Sequence, residues 1–257
     1  MSREVLTFGV ADGPVVELST FSGDIGVDVG VGDLIQVDLD TGPRGYDVEH
    51  TGSRVSIAPK PGSFRRLGAG DVNLTLPSGT DLIIRTTSGD VRTGRVDAGT
   101  GLGVVEIATA SGDVRLKRVE GDVRIKTASG DVRLDEVAGN VHLATASGHL
   151  RAVGIGADLE ATTASGSAHV DLVNGDVGFK SASGDLVVTR MEGKSVRAKT
   201  LSGDVRVGIP PRREIQLDLD SIAGELRHDL TSSGLEPVQR LRIDVTTVSG
   251  DTYLVDG

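Results

Sequence analysis

Thr109-Ala-Ser-Gly-Asp-Val-Arg-Leu116 returns as Thr127-Ala-Ser-Gly-Asp-Val-Arg-Leu134, and then in looser copies. These are Thr145-Ala-Ser-Gly-His-Leu-Arg-Ala152, Thr163-Ala-Ser-Gly-Ser-Ala-His-Val170 and Ser181-Ala-Ser-Gly-Asp-Leu-Val-Val188. The turn glycines Gly112, Gly130, Gly148, Gly166 and Gly184 are spaced by 18 residues, and Gly203 follows at 19. Outlying copies sit at Thr20–Asp24, Thr86–Asp90 and Thr247–Asp251. A fixed period of this length is the signature of a repeat architecture and outranks every other signal in the chain.

Weaker copies lie midway, at Gly121-Asp-Val-Arg-Ile125, Gly139-Asn-Val-His-Leu143 and Gly175-Asp-Val-Gly-Phe179. Steps of nine from Val114 reach Val123, Val132, Val141, Leu150, Leu159, Ala168, Val177 and Leu186. Steps of nine from Leu116 reach Ile125, Leu134, Leu143, Ala152, Ala161, Val170, Phe179 and Val188. Every member is apolar, and the residue between the columns is mostly polar (Arg115, Arg124, Arg133, His142, Arg151). Period-two alternation rich in Val and punctuated by Gly-Asp turns reads as short strands. A third column, from Val119 through Ala128, Val137, Ala146, Ile155, Ala164, Val173 and Ala182 to Met191, alternates large and small. Consecutive half-repeats therefore occupy two different sides, and the true period is 18. The fold class read from this is all-β: a single-stranded parallel β-solenoid with two strands per coil, each coil rising about 4.8 Å. A left-handed hexapeptide helix needs an aliphatic residue every sixth position, and Val114 leads instead to Glu120 and Lys126.

The regular repeats occupy 81–207. Residues 1–80 read as looser N-terminal coils, with strand-like stretches at Val15–Leu18, Ile25–Val29, Leu34–Leu39, Arg54–Ile57 and Val72–Leu76 and a basic, Gly-rich stretch at Lys60–Gly70. Residues 208–257 read as C-terminal coils, with Ile215–Leu219, Glu225–Leu230 and Leu241–Val245 as strands. No composition shift marks a boundary, so one domain, 1–257, is the expectation.

The Ser-Gly-Asp-Val-Arg-Leu units, the looser N-terminal third and the closing Val248-Ser-Gly-Asp-Thr-Tyr-Leu254 resemble the bacterial putative-adhesin β-strand-repeat family, a domain of unknown function related to the toastrack domains. The resemblance covers nearly the whole chain. It implies a bacterial β-repeat protein, some of whose relatives are similar to envelope-stress or cell-surface components. This sequence departs from those in showing no signal-peptide or membrane-anchor run, which points to a cytoplasmic location.

Composition narrows the function classes. The 257 residues include no Cys and no Trp, which excludes disulfides, thiolate nucleophiles and Cys-ligated metals. A net charge of −10 and six aromatic side chains argue against an extended nucleic-acid face. No nucleophile elbow, P-loop or dinucleotide fingerprint appears, and a Ser that recurs in every coil is a structural Ser. No enzyme activity, catalytic residue, cofactor or metal site is therefore predicted. Asp90, Asp113, Asp122, Asp131, Asp158, Asp176, Asp185 and Asp204 invite a calcium reading. Calcium β-rolls present several glycines per loop, however, and here Arg two residues on offers each Asp a partner. The Thr and Ser columns read as turn hydroxyls that satisfy the corner backbone.

What remains is binding. The charged ladder Asp113, Arg115, Asp131, Arg133, Asp204 and Arg206 is one candidate surface. The second is the unpaired edge expected at the C-terminal strand, with Asp251, Tyr253 and Leu254, since the three residues after it leave no room for a capping helix. The expectation is a non-enzymatic scaffold that binds a protein partner or self-associates through its coil ends, without nucleic acid and without membrane insertion. The alternatives are a calcium-dependent or surface adhesive repeat protein and a carbohydrate-acting β-helix.

Overall fold

The computed structural model describes residues 4–40, 45–60, 70–230 and 239–257; residues 61–69 of the basic stretch lie outside it. All regular elements among the described residues are strands, as the alternation requires, and they fall into two compact units, Met1–Gly130 and Asp131–Gly257.

The first unit contains β1 (Glu4–Gly9), β2 (Val15–Ser19), β3 (Ile25–Gly30), β4 (Leu34–Leu39), β5 (Tyr46–Thr51), β6 (Arg54–Pro59), β7 (Val72–Pro77), β8 (Asp81–Arg85), β9 (Val91–Val96), β10 (Val105–Ala108), β11 (Val114–Val119) and β12 (Val123–Lys126). One row runs β1-β4-β7-β3-β9-β11 and the other β5-β6-β2-β8-β10-β12. Stacking is parallel except at β1–β4, β4–β7 and β5–β6. The sequence reading missed β1 and β5, both members of these antiparallel pairs. The turn Gly52-Ser53 joins β5 to β6, with Gly52 at φ 61°, and a two-residue link can connect only antiparallel strands.

The second unit contains β13 (Val132–Val137), β14 (Val141–Ala144), β15 (Leu150–Ile155), β16 (Leu159–Thr163), β17 (Ala168–Val173), β18 (Val177–Ser183), β19 (Leu186–Met191), β20 (Ser195–Ser202), β21 (Val205–Ile209), β22 (Arg213–Ser221), β23 (Leu226–Asp229), β24 (Gln239–Ser249) and β25 (Thr252–Asp256). Its rows run β13-β15-β17-β19-β21-β25-β23 and β14-β16-β18-β20-β24-β22. Val132 pairs with Leu150, Leu150 with Ala168 and Ala168 with Leu186, which is the 18-residue period written as register.

Chain order and stacking order part company at the outermost coils. The first coil, β2 with β3, lies inside the stack: β2 between β6 and β8, and β3 between β7 and β9. The closing coil does the same, with β24 between β20 and β22 and β25 between β21 and β23. The C-terminal strand is thus hydrogen-bonded on both sides, and the edge belongs to the coil before it in sequence, β22 and β23.

Both nine-step columns are buried, from Val114 and Leu116 through Leu186 and Val188. Each large aliphatic side chain so placed contributes about 1.5–3 kcal/mol. In the third column Val137, Ile155, Val173 and Met191 end the long strands and are buried, whereas Ala146 and Ala164 are exposed in corners and Ala182 is exposed within β18. From β13 to β16 the large–small alternation records strands of six residues in one row against four or five in the other, while β18 runs to seven.

The corner glycine has a steric cause. A Cβ on Gly184 would overlap the carbonyl oxygen of Gly166, and one on Gly166 that of Gly148. Gly154, within β15, has no atom within 4 Å of the same point. Gly184→Ala should therefore lower stability by about 1–3 kcal/mol or more, while Gly154→Ala stays within about 0.5 kcal/mol of the parent. Thermal melts of the two variants check this, and equal shifts would contradict the stacked-corner geometry.

Candidate binding surfaces

The Asp of each Gly-Asp-Val-Arg unit forms a ladder along the corners. One carboxylate oxygen accepts the backbone N–H of the equivalent residue in the neighbouring coil. In the first unit Asp24 N donates to Asp71 Oδ1 (2.9 Å), Asp90 N to Asp24 Oδ1 (3.1 Å) and Asp113 N to Asp90 Oδ1 (2.9 Å). In the second unit Asp204 N donates to Asp185 (2.9 Å), Asp251 N to Asp204 (2.8 Å) and Glu225 N to Asp251 (2.9 Å). The other oxygen faces the side chain two residues on. Arg115 Nη2 reaches Asp113 Oδ2 at 2.9 Å, Arg92 bonds Asp90, and Tyr253 Oη donates to Asp251 Oδ2 at 3.0 Å. The opposite corner repeats the device: Asp176 N donates to Asp158 Oδ1 at 2.7 Å, and Asp158 N to Asn140 Oδ1 at 3.1 Å. The sequence reading gave Asp its Arg partner and missed the backbone bond, which only the register reveals.

The corner hydroxyls are likewise structural. Thr127, Thr145 and Thr163 Oγ1 accept from the N–H of Gly130, Gly148 and Gly166 at 2.8–3.0 Å.

Of the ladder candidates, Asp113 and Arg115 form a half-exposed ion pair. Asp131 Oδ1 accepts His149 N at 3.0 Å. Asp204 holds the backbone of Asp251, and the Arg206 and Arg227 guanidinium carbons each lie 5.9 Å from the centre of the Tyr253 ring. The edge candidates Asp251, Tyr253 and Leu254 are on β25, with neighbours on both sides, and Leu254 is buried. They are not a free edge, because the chain threads its last strand between two earlier ones.

The row ends in the second unit at β22 and β23. The inward side chains of β22, Ile215, Leu217 and Leu219, are only half-buried, whereas their partners Leu241, Ile243 and Val245 on β24 are buried. Its outward positions are Glu214, Gln216, Asp218 and Asp220, all exposed. Arg213, with its side chain 6% exposed, fastens the strand to the Glu192 carbonyl (2.6 Å), the Glu192 carboxylate (3.1 Å) and the Gly193 carbonyl (3.0 Å). The Arg190 and Arg213 guanidiniums hold the Glu192 carboxyl below its ordinary range. The corners beside this edge carry large apolar residues where other coils have Ala: Leu201, Val248 and Ile222 are 59%, 41% and 80% exposed.

A second irregularity falls in mid-repeat. His149 and Ser167 take the Asp position in successive coils and keep the ladder closed with neutral acceptors. Ser167 N donates to His149 Nδ1 at 3.2 Å, and Asp185 N to Ser167 Oγ at 3.1 Å. Arg151 and His169, two residues further on, thereby lose the carboxylate that Arg115 retains. Arg133, Arg151 and His169 stand in register on β13, β15 and β17 and line a depression of about 330 Å³. The signal was present in Gly-His-Leu-Arg and Gly-Ser-Ala-His, but its consequence needed the register.

The sequence model of the DUF4097 family, described as Toastrack DUF4097, matches residues 63–172 and 137–254. Among curated proteins nothing matches. Among solved structures, the chain is similar to a "putative adhesin" of Bacteroides fragilis NCTC 9343 (12% identity, 98% of this chain and 97% of that one, TM-score 0.46). It is also similar to a "putative adhesin" of Parabacteroides distasonis ATCC 8503 (11%, 98% and 97%, TM-score 0.44) and to a "putative lipid binding protein" of the same organism (13%, 97% and 96%, TM-score 0.39).

Two predictions test the ladder. Because Asn140, His149 and Ser167 serve as acceptors, Asp185→Asn should be nearly neutral, whereas Asp185→Ala strands the Asp204 N–H and costs about 1 kcal/mol; chemical denaturation compares them. The Glu225 N–H and the Tyr253 hydroxyl hold the Asp251 carboxyl below its ordinary value. Its stabilising contribution is therefore full above the unfolded value of about 3.9 and is lost as pH falls through the lowered folded value. The melting-temperature advantage of the parent over Asp251→Asn should be present at about pH 7 and absent at about pH 2.

Proposed function

The chain belongs to the Toastrack DUF4097 family, and from that premise we propose that it is a non-enzymatic β-repeat scaffold that binds a protein partner through the open edge of its last coil. The observation that carries this reading is β22. It stands at the end of its row with one side of its backbone unpaired among the described residues, and its apolar column is half-exposed. One added strand would satisfy the open N–H and C=O groups and complete the burial of Ile215, Leu217 and Leu219. This is β-augmentation, in which main-chain bonds supply affinity and alternate side chains supply specificity.

The outward side chains specify the partner. Glu214 is engaged by Arg240 at 2.7 Å, leaving Asp218 and Asp220 as the charges an added strand would face. A strand with Lys or Arg at alternate positions complements them, each cross-strand pair contributing about 0.2–1 kcal/mol. Antiparallel pairing of two copies centred on Leu219 sets Asp218 against Asp220, so a heterologous basic strand is the better match than a second copy.

Two labelled nonapeptides of alternating Lys–Val and Glu–Val test this, read by fluorescence anisotropy and by hydrogen exchange at the β22 amides. The Lys–Val peptide should bind and slow exchange in β22, and the Glu–Val peptide should not. Leu217→Asp, checked by thermal melting to remain folded, should abolish binding. Indifference of β22 exchange to both peptides overturns the proposal, and light scattering over a hundredfold concentration range exposes self-association if that is the edge's real use.

A further inference from the structure

We propose that the outward face of β13, β15 and β17 binds a phosphomonoester carried on a hydroxyl-bearing body. This inference is independent of the β22 edge, since it uses different strands and a different face of the coil.

The argument starts from charge pairing in a chain of net charge −10. On equivalent positions of other coils the outward cation has a carboxylate or an aromatic ring beside it: Arg92 with Asp90, Arg115 with Asp113, Arg227 with Glu225, and Arg206 against the Tyr253 ring. At Arg133 and Arg151 no ion pair is formed among the described residues. His169 Nε2 has only Asp171 Oδ1, at 3.5 Å. For Arg151 and His169 the cause is local: the ladder positions two residues before them are His149 and Ser167, which close the ladder without a carboxylate, whereas Arg133 follows Asp131, whose Oδ1 accepts the backbone N–H of His149. Register then stacks Arg133 beside Arg151 and Arg151 beside His169, about 4.8 Å apart at the backbone. Adjacent unpaired guanidiniums repel each other, and an anion between them turns that repulsion into attraction on both sides.

The shape agrees with a small ligand. The depression of about 330 Å³ is of the size that takes one small molecule, and Val153, 49% exposed, gives it an apolar wall. A phosphate dianion offers three oxygens to two planar donor forks, which a single carboxylate does not. Asp171 lines the same depression. Its carboxylate repels a bare anion and accepts hydrogen bonds from hydroxyls, so the ligand carries hydroxyl groups away from its phosphate. The depression on the other row of this unit differs in mixing carboxylates with its cations: Glu160 lies 3.4 Å from His142 and 3.9 Å from Lys180, and Asp158 and Asp176 line it together with Arg197 and Lys199.

The phosphomonoester is either a soluble sugar phosphate or a lipid headgroup, and the test separates the two. Glucose 6-phosphate, glucose and inorganic phosphate are titrated at low salt by calorimetry, and phosphatidylcholine vesicles with and without phosphatidylinositol phosphate are co-sedimented. The proteins are the parent, Arg151→Gln and, as a control on β21, Arg206→Gln. Saturable binding of glucose 6-phosphate or of the phosphoinositide vesicles, weakened about tenfold by Arg151→Gln and unchanged by Arg206→Gln, is the expected result. Glucose should not bind. Absence of saturation with both phosphorylated probes overturns the site. So does equal weakening by the two variants, which marks general electrostatics. Inorganic phosphate binding as tightly as glucose 6-phosphate overturns the hydroxyl-bearing ligand.

Discussion

One carboxylate oxygen at each corner, accepting the N–H of the next coil, is the contact on which the stacked corners depend. Strand-to-strand bonds carry the long sides of a coil, but they lapse where the chain turns, and an unsatisfied N–H costs about 1–3 kcal/mol when shielded from water. A side chain that reaches exactly one coil away closes the gap. Asp does so at most corners, and Asn140, His149 and Ser167 do so elsewhere. The preceding Gly follows from the same closeness, because neighbouring corner carbonyls occupy the space a Cβ needs. The Arg two residues on follows as well, since it takes the second oxygen. Thus Gly-Asp-Val-Arg is one steric and one hydrogen-bonding requirement, repeated.

That economy explains where function can reside. The repeated residues hold the backbone, so departures from the repeat are informative. Two occur in the second unit: His149 and Ser167 in the ladder leave Arg151 and His169 without the carboxylate of other coils, and the outermost coil presents an acidic strand with a half-covered apolar column. Neither needs a buried catalytic group. Both place chemistry on outward positions of a rigid frame, where a change of side chain leaves the stack intact.

The columns were legible because burial alternates with period two and the coil with period 18; every apolar residue from Val114 to Val188 in those columns is inside. The edge was not legible. Asp251-Thr-Tyr-Leu254 reads like any other repeat strand, and nothing local says that β25 slides between β21 and β23 instead of following β23. Such choices are made by pairings across long sequence separations, as between Val15 and Asp81 or Val205 and Thr252. The antiparallel strands β1 and β5 escaped notice for a related reason: Glu4–Gly9 and Tyr46–Thr51 lack the Val-rich alternation of the repeats and take their place from β4 and β6. His149 was visible as an Asp substitute, but the loss it imposes on Arg151 exists only once adjacent coils are aligned.

Threading the terminal coils inside the stack also determines how the chain bears load. Hydrogen bonds of a parallel sheet lie across the strands, so a pull along a strand strains the whole set together instead of opening it one bond at a time. A tug on the C-terminus acts along β25, gripped by β21 on one side and β23 on the other. A tug from the N-terminal side first loads β1, paired with β4 alone among the described residues, and only then β2, held between β6 and β8. An outermost strand would be gripped on one side only. The closing strand is therefore clamped from both sides, and tension applied to it meets two interfaces in shear, whereas at the other end β1 has β4 as its one neighbour in the row.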